Sequence, residues 1–157
     1  MTAHARNADR PQLPSFVEEF VGRETCMGEL TDMLDGSHSV VSLVGPPGVG
    51  KTQLAAEVAR RLSARETSEP RVAFCDLRAA RTRDDLIAAV ADALGLPLSS
   101  QRNPDGALDF IDQWLQQEAA LLVLDNFEQL VETAGELVGR WFDDQAGAIA
   151  LVTTRRP

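Results

Sequence analysis

The chain holds a single lysine, and it falls inside the stretch whose spacing suits phosphate chemistry. Residues 45–52 read GPPGVGKT, two glycines five positions apart followed by Lys and Thr. Gly45, Gly48 and Gly50, with Pro46, Pro47 and Val49 between them, let the backbone curl. Successive N–H groups then point inward at phosphate oxygens. The helix expected from Lys51 adds the partial positive charge of its N-terminus. Lys51 is long enough to reach the β- and γ-phosphates of a nucleotide, the Thr52 hydroxyl suits Mg²⁺, and Gln53 completes the first turn.

Such a loop needs a partner that holds the metal. Leu121-Leu122-Val123-Leu124-Asp125 is an apolar strand ending in a carboxylate. Ligands of open parallel sheets lie at the carboxyl ends of the strands, so Asp125 is expected to face Thr52, through a metal-bound water. Hydrolysis also needs a group that orients water. Asn126 occupies the position where many ATPases of this kind carry a second acid, which leaves Glu128 as the nearest candidate. Glu128 is equally suited to a helix first turn, where the dipole favours it. Arg155, after Thr153-Thr154, ends the last apolar run, where it suits either sensing a γ-phosphate or a plain exposed terminal arginine, the reading that composition alone favours.

The elements that must position these residues follow from periodicity. Ser39–Val44, Arg71–Leu77, Ala120–Leu124 and Ala148–Thr153 are short apolar runs that predict buried strands. Between them, Leu54/Val58/Leu62, Leu86/Ile87/Val90/Leu94, Leu108/Ile111/Leu115 and Leu130/Ala134/Leu137/Val138/Trp141 recur at helical spacing. Met27, Leu30, Met33 and Leu34 predict one more helix, before the first strand. Thr82 with Asp85 three residues on predicts a capping box, and Asn103-Pro104 a cap and first helical residue. Apolar strands alternating with helices predict a parallel sheet covered on both faces. Arg78, Arg81 and Arg83 read as a loop and helix start.

Composition removes other classes. Of 15 basic residues, 14 are Arg and one is Lys51, against 24 acidic residues, for a net charge of −9. That balance, with a pI near 4.6, argues against direct nucleic-acid binding. No apolar stretch approaches the roughly 20 residues of a membrane span, and the N-terminus lacks an apolar signal. Cys26 and Cys75 are too few for a disulfide scaffold and are expected as small buried residues in a reducing, cytoplasmic setting. An arginine bias empties surface positions of lysine. It spares Lys51, because a planar guanidinium is a poor substitute for a compact ammonium between phosphates.

Taken together, Phe20-Val21-Gly22-Arg23-Glu24, the 45–52 loop, LLVLDNFEQL at 121–130 and LVTTRRP at 151–157 resemble the STAND class of P-loop NTPases. The nearest likeness is the NB-ARC-like domain of large bacterial transcriptional regulators. The resemblance implies a three-layer α/β/α sandwich with a mostly parallel sheet. It makes residues 15–157 a partial nucleotide-binding domain after a flexible arm, 1–14. It implies ATP or ADP with Mg²⁺, with Phe20, Val21 and Arg23 packing on adenine and Arg155 contacting the γ-phosphate. Family members continue into a fifth strand, a Gly-Leu-Pro-Leu segment and a winged helix. None of these occurs in the 157 residues, so an open edge is expected where the fifth strand would sit. Protein partners or C-terminal modules are expected to complete the unit. The implied function is a signalling switch with slow or absent ATP hydrolysis. Two alternatives stay open: a P-loop phosphotransferase acting on a small acceptor, and a binding module without turnover.

Overall fold

A computed structural model describes residues 13–16, 22–36, 38–64, 71–96, 104–117, 120–143 and 148–155. Four strands, β1 (Val40–Val44), β2 (Arg71–Asp76), β3 (Ala120–Asp125) and β4 (Ala148–Thr154), form a sheet of order β1-β4-β3-β2 with every pairing parallel. The helices are α1 (Glu24–Asp35), α2 (Lys51–Ser63), α3 (Arg83–Ala93), α4 (Pro104–Gln117) and α5 (Val131–Asp143). The three-layer α/β/α sandwich expected from the sequence is the fold.

The pleat sorts side chains between two cores. In β3, Leu122 and Leu124 join Ala148, Ala150 and Val152 of β4 beneath α3, α4 and α5. Leu121, Val123 and Leu151 point the other way, onto Met27, Leu30 and Leu34 of α1 and Leu54, Val58 and Leu62 of α2. β3 is buried at all six positions, since it lies inside the sheet with helices on both faces.

Some expectations are corrected. β1 is not covered on both faces: Val40 and Val44 are 42% and 48% exposed, while Val41 is buried. Among the described residues β1 has a strand on one side only. Met33 is exposed, not on the core face, because it lies a turn and two-thirds beyond Met27, away from the Leu30/Leu34 stripe. Cys26 is exposed and only Cys75 is buried; burial raises the Cys75 pKa, and the nearby Asp92 charge raises it further. Leu130 precedes α5 rather than lying in it: it caps the 3₁₀ turn Phe127–Gln129, and the helix starts at Val131.

Other local readings match the fold. The Thr82 hydroxyl accepts from Asp85 N–H while the Asp85 carboxylate accepts from Thr82 N–H. Gly95, at φ +76, ends α3 with its N–H on Asp92 C=O. Residues 1–12, Phe20, Val21 and Asn103 lie outside the described residues.

Candidate functional site

The carboxyl end of the sheet gathers the chemistry. β1 ends at Val44, and Gly45 N–H donates to Thr154 C=O at 3.2 Å, so the loop starts from a fixed point on β4. Gly48 and Gly50 take φ of +77° and +86°, a region open to glycine at little cost. Pro46, Pro47, Gly48 and Val49 are exposed, so the curled backbone faces solvent. α2 then begins at Lys51, and its first N–H groups have no partner within the helix. Gln53 is half-buried in that first turn.

Lys51 lies back over the loop. Its ammonium donates to Gly45 C=O at 2.7 Å and to Pro46 C=O at 2.9 Å. Arg23, the residue before α1, reaches the same loop. Its guanidinium donates to Val49 C=O and lies over Gly50, where an added Cβ would fall 3.1 Å from it. The sequence resemblance assigned Arg23 to adenine; here it grips loop backbone.

Asp125 is where loop and sheet meet. Residues 121, 123 and 125 alternate onto the α2 face, and so does Thr153 of β4. Thr52 donates its hydroxyl to Asp125, 2.8 Å from Oδ1 and 2.9 Å from Oδ2. The Thr153 hydroxyl donates to Oδ1 at 2.5 Å, and Asn126 Nδ2 to Oδ2 at 2.8 Å. Asp125 is only 2% exposed, and a buried carboxylate needs such donors. Thr52 and Asp125 are 73 positions apart in sequence. Hydroxyl and carboxylate are hard oxygen donors. Mg²⁺ is usually held by one or two such groups, with waters and substrate phosphates filling the rest, so this donor set fits it.

The remaining candidates form two ion pairs. Arg155 Nε meets Glu128 Oε1 at 2.9 Å, joining two residues to which the sequence assigned separate tasks. On the opposite side of β3, Arg78 clasps Asp76 through its backbone N–H, Nε and Nη2. Partial burial raises the Asp76 pKa. The Arg78 hydrogen bonds, its charge and an Asn126 side-chain bond outweigh that, and the carboxyl titrates below the usual range. Sequence reasoning passed over Asp76. The signal was present, since β2 also ends in a carboxylate, but nothing local says which strand lies beside β3. Asn126 sits at φ +64°, with its N–H on the Thr153 hydroxyl at 3.0 Å. Arg81 donates to the Arg78 and Ala80 carbonyls, a bond pattern that shapes the loop.

Residues 34–156 match the protein family described as AAA domain. The chain is also similar in structure to the Walker-type ATPase paby2304 of Pyrococcus abyssi, at TM-score 0.62 and 17% identity, over 94% of this chain and 49% of that one. Drosophila ORC bound to DNA matches at TM-score 0.60 and 18% identity, over 85% and 37%. C. elegans PCH-2 matches at 0.55 and 17%, over 83% and 37%. At these identities the likeness is one of fold. The chain spans less than half the length of each of these structures. Among the described residues no helix is long and apolar enough to cross a membrane.

Proposed function

The chain belongs to the AAA domain family of P-loop NTPases, and on that premise we propose that it binds ATP or ADP with Mg²⁺ as a nucleotide-dependent switch. The observation that carries this reading is the meeting of Thr52, in the first turn after the glycine loop, with the buried Asp125. Oxygen donors from the first turn of α2 and from the end of β3 converge beside the glycine loop. In the proposed complex the residues of 45–50 cradle the phosphates, and Lys51 leaves its two carbonyl partners for the β- and γ-oxygens. Thr52 and Asp125 hold Mg²⁺, which supplies charge neutralisation at the phosphates.

Arg155 and Glu128 belong to the switch in this reading. Arg155 senses the γ-phosphate, and Glu128 holds its guanidinium when no phosphate is there. Exchange of one anionic partner for another is a change that a segment beyond β4 can follow. Hydrolysis is slow in this proposal, because the position after Asp125 carries an amide. STAND-like regulation, completed by protein partners or C-terminal modules in the cytoplasm, is the finer form of the same proposal. A phosphotransferase is less well supported, since Arg78 and Arg81 are engaged with Asp76 and with loop carbonyls.

Titration with labelled ATP and ADP, with and without Mg²⁺, tests the reading. The expected result is saturable binding of both nucleotides, ATP tighter with Mg²⁺, and its loss in Lys51→Ala. Unchanged affinity in Lys51→Ala would sink the assignment of the loop. Phosphate transferred to an added acceptor, in place of water, would favour the phosphotransferase.

A further inference from the structure

We propose that Asp76, at the carboxyl end of β2, is the carboxylate that orients the attacking water. The inference rests on the reading of this site as an ATP site, and it names a group which that reading lacks. Four observations converge on Asp76. First, Asp76 and Asp125 are register partners on adjacent parallel strands, so they project from the same sheet face, about 5 Å apart. The pairing is held past the strand end, where Leu77 N–H donates to Asp125 C=O at 2.9 Å. Second, the Asn126 side chain donates to Asp125 at 2.8 Å and helps hold the neighbouring Asp76 carboxyl below its usual range.

Third, Asp76 keeps 41% of its side chain exposed, open to water, whereas Asp125 is sealed beneath Thr52 and Thr153. Fourth, the rival carboxylate is less open to water: Glu128 is 16% exposed, and the 3₁₀ turn carries it off the end of β3. Arg78 gives Asp76 what a water-orienting group needs, a fixed direction and a full negative charge.

The step is a hydrolysis in which Asp76 accepts a hydrogen bond from the water. The water oxygen forms a bond to the γ-phosphorus, and the bond from phosphorus to the β,γ-bridging oxygen breaks. Its electron pair leaves with ADP. One water proton stays on the inorganic phosphate, and the other passes along the hydrogen bond to Asp76 and on to solvent. A loose phosphoryl transition state asks for orientation more than for a strong base, which suits a carboxylate held by an arginine.

The test uses the full chain and three readouts: ATP·Mg affinity, single-turnover phosphate release, and capture of ADP with aluminium fluoride, a transition-state mimic. Asp76→Asn is expected to keep ATP affinity within about twofold, and to lose release by about 100-fold together with aluminium-fluoride capture. Its loss should exceed that of Glu128→Gln. Release unchanged in Asp76→Asn, a larger loss in Glu128→Gln, or loss of ATP affinity in Asp76→Asn would each overturn the assignment. Wild-type chain that binds ATP but releases no phosphate above Lys51→Ala overturns it too, while leaving the binding reading intact. Wild-type chain that binds neither nucleotide removes both.

Discussion

Gly50 shows how closely the loop is built around single residues. Its φ of +86° is one that an L side chain adopts at a cost of about 1–2 kcal/mol, and the Arg23 guanidinium already fills the space a Cβ would take. Gly50→Ala is therefore expected to lower stability by about 1–2 kcal/mol in urea titration and to weaken ATP binding. Adding Arg23→Ala should recover only the steric part, since the dihedral cost stays. Full recovery would show that the guanidinium, not the backbone, sets the requirement for glycine. The motif itself was legible from residue types, because phosphate cradling needs glycine, lysine and hydroxyl at fixed local spacing. The partner of each side chain was not legible. Lys51 on its own loop carbonyls, Arg155 on Glu128 and Asn126 on Asp125 are contacts that depend on where distant segments land.

Helix α3 shows what an element draws from its own sequence. The Thr82/Asp85 box was readable because both partners lie within one turn, and the structure contains both of its hydrogen bonds. Thr82→Ala is expected to cost about 1 kcal/mol, measured by urea unfolding at neutral pH. The box also gives a pH dependence of known sign. Hydrogen bonds from the Arg81 and Thr82 backbone N–H groups lower the Asp85 pKa. A carboxyl lowered on folding contributes its stability above the unfolded value, about 3.9, and loses it as pH falls through the folded one. Wild type should exceed Asp85→Asn in unfolding midpoint at pH 6, and the gap should close as pH drops below about 3.9. A gap that persists at pH 2 would contradict the ionic role. Met33 and Leu130 mark the limit of element-scale reading. Spacing placed both in helix faces, whereas one lies off the stripe and the other caps a 3₁₀ turn just before the helix starts, where local geometry departs from an ideal period.

At the scale of the molecule, the sheet divides its strands into an interior and two edges. Leu122, wholly buried in the middle of β3, and Val40, 42% exposed on β1, are both strand residues with apolar neighbours in sequence. Leu122→Ala is expected to cost about 2–5 kcal/mol. Val40→Ala is expected to stay within about 0.5 kcal/mol, both read from urea midpoints. Equal costs would mean that β1 is covered as β3 is. The sequence predicted both strands as buried, because each is a β-branched or leucine-rich run. Burial on both faces comes from neighbouring strands and helices, not from the run.

What the sequence alone determined is local: the phosphate-binding loop, the alternation of apolar strands with amphipathic helices, the strand-end carboxylate Asp125 and the cap of α3. Backbone conformational preference and side-chain periodicity act within a few residues, so composition and spacing express them directly. What only the tertiary structure decided is the order β1-β4-β3-β2, and with it the neighbours of each strand end. Four apolar runs of similar length are interchangeable to the eye, since hydrophobic burial is non-directional. Their order comes from right-handed crossovers and from how the helices pack on each face. That order sets Thr52 on Asp125 and Asp76 beside Asp125.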